Sequence, residues 1–182
     1  MTPTALFGLN GKTALVTGGG TGIGRMATTA LAAAGAQVFI ASRKIDACCA
    51  TADEINSLGF TGSVHGLRGD VATEEGIEQL ISNLDSKTDK LHILMNNAGR
   101  TWGAPIGSFP HSAWGKVFDL NVAGMFQLTQ GLLAKLTASS TLDDPARVVN
   151  VGSVMGEIPM GDGAYSYAVS KAAVHQMTRI LA

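Results

Sequence analysis

Tyr167 and Lys171 stand four residues apart, just ahead of the run Ala172, Ala173 and Val174, and this stretch predicts a helix. Residues at this spacing share one helical face, which puts the Lys171 ammonium beside the Tyr167 phenol. A free phenol has a pKa of about 10 and is a poor acid–base group at neutral pH. A neighbouring positive charge favours the phenolate, and a pair so arranged can exchange protons with a substrate. The same spacing also describes an ordinary solvated helix face. What precedes the pair must decide.

The elements that would position it alternate. Residues 12–17 are a short apolar, β-prone run broken at Gly18, and residues 22–34 carry Ala, Leu, Ile and Met at helical density up to Gly35. Residues 37–41 predict a second strand, 44–58 a second helix ending at Gly59, and 63–67 a third strand running into Gly69-Asp70. Thr73 is placed to cap the next helix, with Glu74, Glu75 and Glu78 near its positive end. A fourth strand is expected at 91–95, a long helix at 112–136, a polar loop at 137–145, a fifth strand at 147–151 and the helix of the pair from 164. Strict alternation with apolar strands predicts a parallel sheet buried on both faces, a doubly wound, three-layer α/β/α (Rossmann) fold. One domain, 1–182, is expected, with no internal repeat or interior linker.

Between the first strand and first helix lies Thr17-Gly-Gly-Gly-Thr-Gly-Ile-Gly24. Glycines there let the backbone approach a ligand closely, and the N–H groups of a helix start favour phosphate. Ile23 occupies the third glycine's place in the plain dinucleotide pattern, so Gly18, Gly22 and Gly24 describe the spacing better. A dinucleotide fold usually holds the adenosine ribose with an acid about 20 positions on, but here the second strand ends in Ala41-Ser42-Arg43-Lys44. A hydroxyl and a guanidinium suit a 2′-phosphate, which a carboxylate would repel. The expected cofactor is therefore NADP(H), although Arg43 and Lys44 also fit a solvated loop.

Bulk properties narrow the classes. The chain is 46% hydrophobic and 15% charged, with 23 glycines and a formal net charge of −1, so no basic surplus points to nucleic acid or an anionic membrane. The longest apolar stretches are strand-sized and the N-terminus lacks a signal-peptide pattern, which leads us to expect a cytoplasmic protein. Cys48 and Cys49 are adjacent in a predicted helix and have no metal-ligand spacing.

Taken together, the chain resembles the short-chain dehydrogenase/reductase family along nearly its whole length. The resemblance rests on Thr17-Gly18 with Gly22-Ile23-Gly24, Gly69-Asp70-Val71, Asn96-Asn97-Ala98-Gly99, Asn121, Ser153, and Tyr167 with Lys171, all in the family's order. It implies that Gly18, Thr21, Gly22, Ile23 and Gly24 cradle the cofactor's phosphates, and that Ser42, Arg43 and Lys44 meet the 2′-phosphate. Asp70 and Val71 would contact adenine, and Asn97, Ala98 and Gly99 would line the ribose. Asn97 would equally tie neighbouring strands. Ser153 would hydrogen-bond a substrate carbonyl, and Tyr167 would donate its proton. Lys171 would assist Tyr167 and bind the nicotinamide ribose, and Asn121 would hold a relay water. Tyr165, on another helical face, should not replace Tyr167. Trp114, four before Phe118, is expected in core packing, and His111 and Ser112 at a helix entry.

The Ser153–Tyr167 separation is one residue longer than the family's commonest form, which resembles the branch of bacterial β-ketoacyl reductases linked to rhamnolipid synthesis. A 3-oxoacyl or similar β-keto compound is the first substrate expectation, with Met155, Met160 and Trp102 as an apolar wall. Family members usually continue to about 250 residues, within the usual range for one domain, so a fragment lacking the last strands and substrate loop is expected, with a bare sheet edge. A homodimer or homotetramer is implied for the full-length form. A catalytically inactive dinucleotide-binding or interaction protein is the second functional reading.

Overall fold

The computed structural model describes residues 6–161 and 163–182. Five strands, β1 (Thr13–Thr17), β2 (Gln37–Ser42), β3 (Ser63–Arg68), β4 (Ile93–Asn96) and β5 (Arg147–Asn150), form one parallel sheet in the order β3-β2-β1-β4-β5. Between them run α1 (Gly22–Ala33), α2 (Ile45–Asn56), α3 (Glu74–Asp85), α4 (Ser112–Phe118) and α5 (Gly124–Ala138), with α6 (Tyr165–Leu181) after β5. This is the doubly wound fold that alternation of apolar strands and helices dictates, because parallel neighbours need long crossovers and those crossovers cover both faces.

Every residue of β1 is buried, and adjacent residues point to opposite faces. Leu15, Phe39 and Leu94 turn to one side, where Leu80 and Leu84 of α3 and Leu128 and Leu132 of α5 meet them. Ala14, Val16, Val38 and Ile40 turn to the other, against Ala32 of α1 and Ala52 and Ile55 of α2. α6 packs against α4 and the segment that follows it. Burial on both faces holds only at the centre of the sheet. β3 alternates between buried and open positions, and Arg147, Val148 and Val149 of β5 are exposed and lie outside both core layers.

Most element limits agree with the sequence within two residues, and Thr73 does cap α3 by accepting from the Gly76 amide at 3.1 Å. The long helix differs. It runs from Ser112 to Ala138, but residues Asp119–Ala123 form a π-helical turn between α4 and α5. Trp114 is also not in the core. It is 37% exposed, and its ring meets Phe109 and Phe118, with Tyr165 also against Phe109.

Leu94 is fully buried at the middle of the sheet. Its replacement by Ala should cost about 2–5 kcal/mol through lost transfer energy and a residual cavity. Urea unfolding followed by circular dichroism should show a lower midpoint with an unchanged slope.

Candidate active site

The strand order reverses between β1 and β4: α1 leaves β1 towards one face, while the chain beyond β4 reaches the other by way of α4 and α5. Open α/β sheets place ligands in the crevice at the carboxyl ends of such a pair. Here the crevice floor is tied together by hydrogen bonds. Asn97 Nδ2 donates to the carbonyls of Thr17 (2.9 Å) and Gly18 (3.2 Å), and the amides of Asn97 and Ala98 both donate to Thr17 Oγ1 at 3.0 Å. Gly18 has a φ of +65°, which a side chain rarely tolerates. A Cβ on Gly24 would lie 2.3 Å from the Gly18 carbonyl and 2.5 Å from Asn97 Nδ2, so the start of α1 packs directly on the turn. Thr21 sits at the helix N-cap without a side-chain capping bond, which leaves the first amides of α1 to a ligand.

Two cavities meet over this floor and share Asn97, Gly99 and Arg100. The first, about 320 Å³, is lined by Gly18, Thr21, Ser42, Arg43, Asp70, Val71 and Ala98 among others. The Asp70 carboxylate accepts from the Ala72 amide at 3.0 Å, which fixes its orientation, and Ser42 Oγ accepts from the Lys44 amide at 3.2 Å. Arg43 is exposed at the rim. Lys44 is not among the lining residues, and neither are Gly22 and Gly24.

The second cavity, about 580 Å³, gathers Ile23, Ser153, Met155, Tyr167 and Lys171. Thus the pair on α6 and the serine beyond β5 face one space. Lys171 is buried, and its ammonium donates to the Val151 carbonyl at 2.6 Å while lying 5.7 Å from the centre of the Tyr167 ring. An ammonium has three donors, so two remain for a ligand. Ser153 Oγ accepts from the Met155 amide at 3.2 Å, which leaves its own proton free to donate. Asn121 is buried in the π turn. Its Oδ1 accepts from the Arg100 amide and its Nδ2 donates to the Arg100 carbonyl, each at 2.9 Å, and Nδ2 also donates to Ser170 Oγ at 3.0 Å. Ser170 in turn donates to the Tyr167 carbonyl at 2.7 Å. Both Asn121 donors are therefore spent on protein, and only an Oδ1 lone pair remains for the expected water.

Of the expected apolar wall, Met155 lines the second cavity. Met160 and Trp102 do not: they are 55% and 38% exposed, and the Lys116 ammonium lies 5.6 Å from the Trp102 ring centre. Sequence reasoning missed three contributors. Arg100 lines both cavities, Ser170 links Asn121 to Tyr167, and His175 accepts a hydrogen bond from the Ser153 amide. Ser170, at i+3 from Tyr167, and His175, at i+4 from Lys171, carry a spacing signal, whereas Arg100 carries none. Among the described residues no group of His, Cys, Asp or Glu is placed to hold a metal ion, and no helix is long and apolar enough to cross a membrane.

The fold and site define a dinucleotide-binding α/β domain of a well-populated class. The family described as short chain dehydrogenase matches residues 12–182, and the chain belongs to that family of oxidoreductases. It is 45% identical over 176 residues to the rhamnolipids biosynthesis 3-oxoacyl-[acyl-carrier-protein] reductase of Pseudomonas aeruginosa, covering 97% of this chain and 68% of that protein. It is 33% identical over 174 residues to a 7alpha-hydroxysteroid dehydrogenase of Escherichia coli, covering 96% of this chain and 65% of that one. Among solved structures, a Pseudomonas aeruginosa RhlG/NADP active-site complex superposes with a TM-score of 0.93 at 44% identity, over 100% of this chain and 69% of that chain.

Burial holds the Lys171 pKa below its ordinary value of 10.5. A lysine depressed in the folded state holds its proton more weakly there than in the unfolded chain, so its charged form opposes folding. That opposition is complete below the lowered pKa and fades as pH rises to the unfolded value. The stability of the native protein relative to Lys171→Met should therefore rise with pH across that window, measured by guanidinium unfolding at neutral pH and at about pH 10. A difference that stays flat would remove burial as the cause.

Proposed function

We propose that the protein reduces a carbonyl to a secondary alcohol with NADPH, and that its first substrate class is a 3-oxoacyl thioester or related β-keto compound. The observation that carries this reading is the convergence of Ser153, Tyr167 and Lys171 on one cavity that joins, through Asn97, Gly99 and Arg100, the cavity rimmed by Arg43.

The residues present fit a phosphorylated dinucleotide. The turn after β1 has a glycine where φ is +65°, and a Cβ at Gly99 would stand 3.8 Å from the Lys171 ammonium, so bare backbone borders both halves of the space. We assign Gly18, Thr21, Gly22, Ile23 and Gly24 to the phosphate turn, Asp70 and Val71 to the adenine, and Asn97, Ala98 and Gly99 to the ribose wall. Arg43 and Ser42, with Lys44 beside them, meet the 2′-phosphate, since β2 ends in a hydroxyl and two cations rather than in a carboxylate. When bound, the nicotinamide supplies the hydride.

The chain's own residues do the rest. Ser153 donates its free hydroxyl proton to the carbonyl oxygen and orients it. Tyr167 delivers the proton that the developing alkoxide needs. Lys171 spends one donor on Val151 and offers the others to the ribose hydroxyls and the phenol. Asn121 fixes the Arg100 backbone and, through Ser170, the backbone of Tyr167, with its remaining lone pair available to a relay water. Met155 supplies an apolar surface to the substrate, in line with an acyl group. A single domain and a homodimer or homotetramer complete the proposal.

The purified protein should oxidise NADPH in the presence of a β-keto ester, and Tyr167→Phe should lower kcat by about 10²–10⁴-fold, the usual worth of a positioned acid. Cofactor binding without turnover across a carbonyl panel would sink the reductase reading and favour the inactive one. For the cofactor, NADPH should bind more tightly than NADH, and Arg43→Ala should weaken NADPH by about ten-fold, one charge-assisted hydrogen bond, with little effect on NADH. Calorimetric titration showing equal affinity for both in the native protein would defeat the role of Arg43.

A further inference from the structure

Lys171 and His175 are four apart on α6, and each holds the chain just beyond β5. Lys171 donates to the Val151 carbonyl at 2.6 Å, and His175 Nε2 receives the Ser153 amide at 3.3 Å. Thr178, one turn further, accepts from the Asn150 side chain at 3.0 Å. One stripe of the helix thus grips residues 150, 151 and 153, and the same stripe carries Tyr167 at its head.

The histidine has a built seat. A Cβ on Gly152 would stand 2.3 Å from His175 Nε2, and one on Gly156 would stand 2.9 Å from its Cε1 and 2.8 Å from the Ala172 amide nitrogen. Two glycines therefore let the edge of the imidazole come close to bare backbone on both sides of Ser153. Because a backbone amide can only donate, Nε2 must present its lone pair. The neutral ring then carries its proton on Nδ1, a buried atom without a hydrogen bond that lies 3.5 Å from Oε1 of Glu157. A carboxylate on that side favours this tautomer, as outer partners of histidine commonly do.

We propose that His175 is a positioning residue that sets the distance between Ser153 and the Tyr167–Lys171 pair, with Glu157 selecting the tautomer able to do so. The amide of Ser153 is held by His175 and its Oγ accepts from the Met155 amide, so the hydroxyl proton is free to turn into the cavity that Ser153 lines. The catalytic consequence rests on the reductase reading; the structural one does not.

The test has two arms on the 182-residue protein. In the first, nitrogen-15 NMR of the native chain reads the His175 tautomer, and amide exchange at Ser153 is compared with His175→Phe and His175→Gln. The Nδ1–H form is expected, with Ser153 exchange accelerated in His175→Phe, restored in His175→Gln, and unchanged in β1. An Nε2–H form in the native protein, or Ser153 exchange indifferent to His175→Phe, would overturn the proposal, and the native tautomer decides it even where a variant fails to fold. In the second arm, kcat with a β-keto ester should fall about ten- to a hundred-fold in His175→Phe, the order expected of a misplaced catalytic group, with KM nearly unchanged and partial recovery in His175→Gln. A native kcat retained by His175→Phe would refute the catalytic consequence. A native protein inert towards carbonyls defeats the reductase reading alone.

Discussion

The hydrogen bonds between Thr17 and the Asn97–Ala98 segment are the constraint on which the rest of the site depends. Where β1 and β4 part, their last backbone groups can no longer pair with each other, and an unpaired buried group costs about 1–3 kcal/mol. One hydroxyl and one carboxamide satisfy two amides and two carbonyls there. The repair holds the strands at a fixed separation, and that separation is the crevice. Gly18 can then turn sharply, Gly24 can rest on it, and Gly99 can pass close to Lys171. Polar side chains that would be a liability in a core here define the floor of a binding space.

The far wall obeys a different logic. It is made by a helix rather than by strand ends, and its important groups reach the sheet through backbone contacts. Lys171 is carried into a poorly solvated place, where its charge is expensive unless hydrogen-bonded, and the Val151 carbonyl meets that need. Asn121 and Ser170 do the same for the loop after β4 and for the first turns of α6. Side chains locked by such outer contacts, on regular elements, keep their geometry better than side chains on loops.

The sheet was legible because each strand is a short apolar run stopped by glycine or a polar pair, and each helix has its own end signals. Thr73 and Gly35 are good instances: the first caps α3, and the second follows α1 with a φ of +101°. Ile23, Asn97, Gly99, Ser153, Tyr167 and Lys171 of the second cavity were legible as an ordered set of motifs, though not their distances. What escaped were matters of partner and exposure. Nothing in Trp114 and Phe118 at helical spacing says whether that face meets the core or solvent. Nothing local marks Arg100 as a residue that lines both cavities, since that depends on where β4 ends relative to α1. His175 is spaced like any helical histidine, and only the fold sets the backbone of Ser153 against it.

The π turn at Asp119–Ala123 reconciles two demands on one helix. Ala113, Val117, Asn121 and Met125 are buried at successive steps of four, and in an unbroken α-helix three such steps drift by about 120° around the axis. The wider turn absorbs that drift, so α4 and α5 both face inward and Asn121 does too. The long helix is thus kept in two frames joined by one surplus residue, much as a clutch joins two shafts at a set angle. Loss of a single residue from that turn would leave both halves helical yet out of phase, uncoupling the Arg100 loop from α6 without unravelling either.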